Sequence, residues 1–192
     1  MVVKEAGVRT GRRPGVESSR TGILRAAKML FARDGYDGAT IRAIANEAGV
    51  DNAMVIHFFT SKERLFAAVL EDLSAILPTL GATASAGDRS ERGRRLAQAY
   101  FELWESGETG EALRALIRGA IGSPNATAIM REFLDTQLIA PMSNSQMAMV
   151  SGMLLGVAIT RYVVQAGPIA EMTRDQVVDM LAPSLQLQLD TL

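Results

Sequence analysis

Apolar residues recur at helical intervals along most of this chain, and no segment shows the alternation expected of a β-strand. The clearest helical pattern lies between residues 40 and 49. One apolar face is formed there by residues at i, i+3, i+4 and i+7, namely Ile41, Ile44, Ala45 and Ala48. We expect the Thr40 hydroxyl to cap this helix and Gly49 to end it, because a left-handed residue is usually needed at that point.

A second short helix follows, with Asp51 as its expected N-cap. At about 100° per residue its side chains divide into two faces. The face expected to point outward holds Asn52, Ala53, Ile56 and His57. The face expected to pack on the first helix holds Met54, Val55, Phe58 and Phe59. Such a pair forms a helix-turn-helix, which places one helix in a DNA groove. The same arrangement also occurs in all-α proteins that do not bind DNA.

The rest of the chain is predicted to be helical as well. Thr60 and Glu63 resemble a capping box that opens the next helix. The stretch Thr79 to Ser90 is rich in small and polar residues, which predicts a loop. Further helices are expected at about 91–105, 110–121, 125–139, 145–166 and 174–190. The last should begin with a capping box formed by Thr173 and Gln176, and Pro183 should kink it.

The predicted helix 145–166 is apolar almost all round, and its only charged residue is Arg161. Helices of this kind are buried on several sides. A second copy of the chain is the simplest cover for the remaining surface, because small residues permit close helix approach; these are Ser151, Gly152, Gly156 and Ala158. The alternative is a central helix of a monomer.

Charge is distributed unevenly along the chain. Residues 1–33 carry eight basic and two acidic side chains, a charge of +6, so the remainder carries −7 because the whole chain carries −1. A basic end on an acidic body suits contact with phosphates at one end only. Arg12 and Arg13 lie in a Gly- and Pro-containing segment like the arms that enter a minor groove. An ordinary disordered terminus is the alternative.

These features together resemble the TetR family of transcriptional regulators. The resemblance rests on the order, type and spacing of residues in the first third of the chain: Ile23, Leu24, Ala27, Leu30, Phe31, Gly35, Thr40, Ile44, Ala45, Ala48, Gly49, Val50, Phe59 and Lys62. A looser match to one TetR subgroup continues through Leu103-Trp104-Glu105, Thr109 to Leu113, Gly156, Arg161-Tyr162-Val163 and Leu181-Ala182-Pro183.

The resemblance implies an all-α protein with three parts. Residues 1–18 would form a flexible basic arm, residues 19–66 the helix-turn-helix domain, and residues 67–192 a ligand-binding and dimerisation domain. TetR-type proteins pair through their last two helices into a four-helix bundle, so a homodimer on a palindromic double-stranded DNA operator is expected.

Two departures from the family pattern matter. The family often has a tyrosine where this chain has Ile56, and a tyrosine or histidine where it has Phe58. Neither side chain here can donate a hydrogen bond to DNA phosphate. The connection from Pro141 to Gln146 is also shorter than is usual in the subgroup, so either the helix pair is trimmed or a loop is missing from the sequence.

Candidate DNA contacts follow from these patterns. The outward set Asn52, Ala53, Ile56 and His57 is expected to face base edges. Arg42, Lys62 and the backbone at Thr40 are expected to hold phosphates, and Arg12 and Arg13 to act in the arm.

The C-terminal helices hold material for an apolar cavity that would bind a small-molecule effector. The candidate lining residues are Tyr100, Phe101, Trp104, Met130, Phe133, Met153 and Leu154. The alternative is that these residues are simply core, and for any single one of them we favour core. A helical ligand-binding module without DNA-regulatory output is the alternative function, but such a module has no need of a basic arm before a helix-turn-helix.

Other classes of protein fit the sequence poorly. There is no cysteine, and His57 is the only histidine, so thiolate chemistry and the usual metal motifs are excluded. No catalytic residues and no cofactor are predicted. The apolar run from Met147 has about fourteen residues, short of the roughly 20 that cross a bilayer, and the first residues lack a signal peptide's apolar core. We therefore expect a cytoplasmic repressor, without a membrane span, that senses a small apolar molecule.

Overall fold

The computed structural model describes residues 16–139 and 145–191, and these ranges are helical without any strand. The α-helices found there are α1 (Val16–Gly38), α2 (Ile41–Ala48), α3 (Asn52–Phe59), α4 (Lys62–Ser74), α5 (Leu77–Ser85), α6 (Arg92–Glu105), α7 (Gly107–Ile121), α8 (Pro124–Phe133), α9 (Ser145–Ala158), α10 (Gly167–Glu171) and α11 (Arg174–Asp190). A 3₁₀ turn covers Arg89–Glu91, and π-helical turns continue α8 over Leu134–Ile139 and α9 over Ile159–Val164. The predicted all-α fold is confirmed.

Helix α1 lies at the centre of the N-terminal half and packs against α2, α4 and α7. Its predicted apolar face is buried, namely Ile23, Leu24, Ala27, Leu30 and Phe31. Gly35 interrupts the helix with φ 72°, a left-handed conformation that glycine adopts at little cost. The break is followed by Tyr36, whose ring packs against those of Phe31 and Phe66 at centroid distances of 5.9 and 5.1 Å.

Two local predictions were wrong. Thr60 does not cap α4 in a capping box with Glu63, because Thr60 has φ 59° and ends α3. Ser61 is the N-cap of α4, and its hydroxyl accepts a hydrogen bond from the Arg64 N–H at 3.3 Å. The predicted loop from Thr79 to Ser90 is largely helical, since α5 runs to Ser85. Burial of Leu80 and Ala84 in the C-terminal core outweighs the poor helix propensity of the segment.

The predicted C-terminal helices appear close to their expected bounds. Helix α11 opens with the predicted capping box, in which Thr173 and Gln176 exchange side chain and backbone hydrogen bonds. Pro183 lies inside α11, which continues to Asp190. Polar contacts to Glu105 at the end of α6 come from three side chains. The Tyr162 hydroxyl donates at 2.8 Å, and Arg161 and Arg174 lie 3.6 and 3.7 Å from its carboxylate oxygens.

The buried residues form two cores. The first core is formed by α1, α2, α3 and α4 together with residues of α7 and α8, including Leu116, Ala120 and Ala126. The other joins α5, α6, α9 and α11, and contains Phe101 and Trp104. The first core therefore extends past the predicted domain boundary at residue 66, because α7 packs on α1 and α8 packs on α4.

Two helical segments within the described residues are long and apolar enough to span a membrane by length and composition alone, namely Lys62–Ser85 and Ser145–Val164. The second has 20 residues because the π-helical turn continues α9 through Arg161. The prediction that this run is too short was therefore wrong. Core helices of soluble proteins meet the same criterion, so it does not indicate a membrane protein.

Candidate nucleic-acid interface

Capping and backbone hydrogen bonds define the start of α2 and the turn between α2 and α3. The Thr40 hydroxyl accepts a hydrogen bond from the Ala43 N–H at 3.1 Å, as predicted for the N-cap of α2. Gly49 adopts the predicted left-handed conformation with φ 68°, and the Val50 N–H donates to the Ala45 carbonyl at 3.0 Å. Asp51 is the N-cap residue of α3, but its side chain makes no capping hydrogen bond.

Helix α3 packs against the N-terminal core along one edge only. Val55 and Phe59 are buried in the N-terminal core, and Phe58 packs partly against it. The whole predicted outward set is exposed, namely Asn52, Ala53, Ile56 and His57. Ile56 is 44% exposed, so α3 presents an apolar branched side chain at the centre of this face.

Met54 was predicted to pack inward, and that prediction was wrong. Its side chain is 39% exposed. Each of α2 and α3 has only eight residues, so the buried contact of α3 is narrow and holds little more than Val55 and Phe59. The exposed face of α3 is consequently broader than a two-face division of the helix predicts, and it includes a flexible thioether.

Lys62 lies at the first position of α4, beside this face. Its ammonium is 4.5 Å from the Tyr36 ring centroid and donates to the Asp37 carbonyl at 3.4 Å. Tyr36 in turn donates its hydroxyl to Glu63 at 3.1 Å. Burial, assisted by Glu63, raises the pKa of Tyr36 to about 12, so the ring stays neutral beneath the cation. The lysine is thereby held at the α1–α4 junction.

Two arginines on the N-terminal helices, Arg42 and Arg20, are further candidate phosphate contacts. Arg42 is exposed on α2, as a phosphate contact requires. Arg20 is also exposed, and its guanidinium carbon lies 5.2 Å from the Phe59 ring centroid, beside the end of α3. Arg20 was not among the predicted DNA contacts, although it belongs to the basic segment formed by residues 1–33. Arg12 and Arg13 lie outside the described residues.

A cavity of about 480 Å³ lies among the C-terminal helices. Five of the seven predicted ligand-binding residues line it, namely Tyr100, Trp104, Met130, Phe133 and Leu154. Phe101 is instead fully buried in the core and Met153 packs against that core, so neither lines the cavity. Helix α4 contributes Leu70, Leu73 and Ser74, and α5 and α7 contribute residues that the sequence did not single out.

Two family models match the chain. One describes bacterial regulatory proteins of the tetR family and matches residues 23–69. The other describes the tetracyclin repressor-like C-terminal domain and matches residues 90–189, more than half of the chain. The chain belongs to the TetR family. It is therefore a DNA-binding transcriptional regulator with a helix-turn-helix, and helices α2 and α3 lie within the segment that the N-terminal model matches.

Individual TetR-family proteins show the same relationship. A solved TetR-family regulator, SCO0857 of Streptomyces coelicolor, is 33% identical with a TM-score of 0.67, over 94% of this chain and 99% of that one. The repressor Rv3405c of Mycobacterium tuberculosis is 33% identical over 113 residues, 56% of this chain and 60% of the relative. The repressor NicS of Pseudomonas putida is 35% identical over 75 residues, which are 39% of this chain and only 34% of NicS.

Within this TetR regulator the candidate contacts on α2 and α3 are exposed to solvent. Helix α3 presents Ile56 where the family often has tyrosine, while Phe58 packs between the rings of His57 and Phe59 at centroid distances of 5.4 and 6.3 Å. Neither Ile56 nor Phe58 offers a hydrogen-bond donor, so neither can make the phosphate contact that the family often makes at these positions.

Proposed function

We propose that this regulator is a repressor that binds a palindromic operator as a homodimer and is released by a small apolar ligand. The observation that carries the proposal is that one chain has two exposed surfaces of different kinds. One is the recognition-helix face of α3, and the other is an apolar face of α9 and α11 that nothing in the described chain covers. A single such protein reads one half-site, and its copy reads the other.

The proposed DNA contacts divide into two kinds. Asn52, Ala53, Ile56 and His57 face base edges in the major groove, where an amide can read adenine and apolar groups suit thymine methyls. Arg42, Lys62 and the backbone at Thr40 contact phosphates and fix the register without reading sequence. Arg12 and Arg13 add minor-groove or phosphate contacts from the arm.

The proposed dimer interface lies on α9 and α11, which pack against each other. On α9 the exposed stripe follows a helical repeat through Met149, which is 56% exposed, and the open glycines Gly152 and Gly156. On α11 the stripe contains Met180 and Leu187, which are 73% and 65% exposed. Apolar side chains this exposed on adjacent helices are typical of an interface. Two chains paired here would form a four-helix bundle.

The proposed ligand response runs through α4. Its C-terminal half lines the cavity with Leu70, Leu73 and Ser74, and its first residue is the proposed phosphate contact Lys62. A ligand that fits the cavity better when α4 is displaced would stabilise the arrangement in which the two recognition helices no longer match the operator. We place the protein in the cytoplasm, where its DNA is, without a membrane partner.

The substitution Gly156→Glu tests the dimer. A carboxylate at this open position of α9 would be buried without a partner in the proposed interface, so we expect monomers in sedimentation velocity and loss of operator binding. Gly107→Glu is the matched control, because Gly107 is exposed at the start of α7 with open space around it. Dimers that persist in Gly156→Glu with full operator affinity would contradict the proposed interface.

A further inference from the structure

The cavity beneath α4 carries no ionisable group that is charged at neutral pH. Among the described residues that line it there is no Asp, Glu, Lys, Arg or His. The walls are mostly aliphatic, with Trp104 and Phe133 as aromatic surfaces. A volume of about 480 Å³ falls within the ~300–1,000 Å³ of ordinary ligand pockets. The space therefore suits an organic molecule and not an ion.

Four hydroxyl side chains are the main polar groups in this wall, on Ser74, Tyr100, Thr127 and Ser151. Ser74 donates to the Glu71 carbonyl at 2.8 Å, and Thr127 donates to the Ala120 carbonyl at 2.6 Å. These two protons are thus used by the protein's own helices. Ser151 is engaged as well. The Tyr100 hydroxyl oxygen accepts a hydrogen bond from the Trp104 side chain. Its proton is taken by no hydrogen bond among the described residues, so the O–H is available to donate to a bound molecule.

We propose that the cavity takes a neutral, largely hydrocarbon molecule with one carbonyl-type acceptor, to which the Tyr100 hydroxyl donates. This inference rests on the proposed ligand-release function and makes Tyr100 the residue that determines ligand class. The surrounding apolar wall supplies most of the affinity, and the single donor orients the ligand, as is usual in pockets of this composition.

The same wall discriminates against anions. Burial raises the pKa of Tyr100 to about 12, while a hydrogen bond from the Trp104 side chain acts in the opposite direction. The phenol therefore remains a neutral donor between pH 6 and 9. A carboxylate placed among these residues would lose its hydration and meet no cation, which is strongly unfavourable. Binding of a neutral ketone should for the same reason be independent of pH across this range.

The test uses three probes of one shape with the full-length protein. They are 4′-butylacetophenone, a neutral ketone; 4-butylbenzoate, a carboxylate of similar size; and 4-butylisopropenylbenzene, the matching hydrocarbon without an acceptor. Trp104 is the only tryptophan in the chain and lines the cavity, so its fluorescence reports occupancy. The variant Tyr100→Phe removes the donor, together with the acceptor of the Trp104 side-chain hydrogen bond, and the hydrocarbon probe reports any effect of that second loss. Tyr162→Phe removes the same atom outside the cavity, where the hydroxyl donates to Glu105.

We expect the ketone to bind and the carboxylate to bind at least tenfold more weakly. Tyr100→Phe should weaken the ketone about three- to tenfold, the range of one net hydrogen bond, and leave the hydrocarbon unchanged. Tyr162→Phe should change neither affinity. The inference is overturned if the ketone fails to bind, if the carboxylate binds as tightly, or if Tyr100→Phe weakens ketone and hydrocarbon alike. Operator binding without ligand, measured separately, decides the DNA-binding part of the proposed function.

Discussion

At the scale of single residues, the recognition helix combines one amide and one imidazole with three apolar side chains. Asn52 and His57 can hydrogen-bond base edges, whereas Ala53, Met54 and Ile56 offer only apolar contact. The absence of a donor at positions 56 and 58 removes the phosphate contact that the family often makes there. Direct readout by α3 is consequently expected to favour A·T pairs, since thymine alone presents a methyl group in the major groove.

Replacing thymine by uracil tests this readout. Removal of the methyl groups that Ala53 or Ile56 would contact should weaken binding by about 1 kcal/mol or more at those positions, within the usual cost of a mismatch. Uracil at flanking positions of the same fragment is the control and should have little effect. The measurement is fluorescence anisotropy at fixed salt. Unchanged affinity at every substituted position would contradict the assignment of Ile56 to the bases.

Lys62 should act through charge alone. Lys62→Ala is expected to weaken binding about equally on all DNA sequences and to lower the slope of log K against log salt by roughly one unit. Arg89→Ala removes a cation from an exposed position of the 3₁₀ turn before α6, in the C-terminal half, and should leave the slope unchanged. A Lys62→Ala protein with altered base preference and an unchanged slope would show that this residue reads sequence.

At this scale the sequence predicts backbone requirements better than side chain directions. The Thr40 cap and the left-handed Gly49 were predictable because few residue types satisfy those positions. Met54 was assigned to the wrong face because helical periodicity does not report how narrow a contact between two eight-residue helices is. The choice between Thr60 and Ser61 as N-cap depended on the Thr60 backbone at φ 59°, which threonine rarely adopts and the sequence does not signal.

At the scale of elements, α6 and α11 make a close helix contact in the C-terminal half. Gly93 lies against the backbone of α11, and its N–H donates to the Gln186 side chain at 2.8 Å. A Cβ at this position would be 2.6 Å from both the Ala182 oxygen and the Gln186 nitrogen. Because both neighbours are backbone atoms, they can move aside only if the two helices separate.

Gly93→Ala should therefore lower the free energy of unfolding by about 1–3 kcal/mol or more, as overpacking does. Gly22→Ala is the matched substitution with the opposite sign. Gly22 lies inside α1, and no atom lies within 4 Å of the position that an alanine methyl group would take there. Alanine should consequently raise stability by up to ~1 kcal/mol through helix propensity. Urea unfolding measures both. Equal stability changes in the two variants would refute the close contact of α6 with α11.

The elements themselves were largely predictable, since runs of apolar residues at helical spacing predicted α6 to α9 and α11 within a few residues of their observed bounds. Helix α5 was not predictable, because its Gly, Ser, Thr and Ala residues indicate a loop. It is helical because Leu80 and Ala84 are buried in the core that also contains residues of α6. The contact of Gly119 with Gly35, where a Cβ would lie 3.3 Å from the Gly35 Cα, joins distant segments and has no local signal.

At the scale of the whole molecule, the N-terminal core and the cavity share residues of α7. Leu116 and Ala120 of α7 belong to the N-terminal core and also line the cavity. A ligand in the cavity therefore touches residues that pack against α1, as well as those of α4. This continuity supports the proposed coupling of ligand binding to the position of α3. The sequence contains neither a change in composition nor a linker that would reveal it.

Selection of bound sequences from random DNA, with the full-length protein, tests the central claim most directly. A dimer with two recognition helices on one DNA face predicts an inverted repeat whose half-site centres lie about 10–10.5 base pairs, or roughly 34–36 Å, apart. A·T pairs should be enriched at the positions facing α3. Enrichment of a single unrepeated half-site, or no enrichment above the starting pool, would contradict a homodimeric repressor.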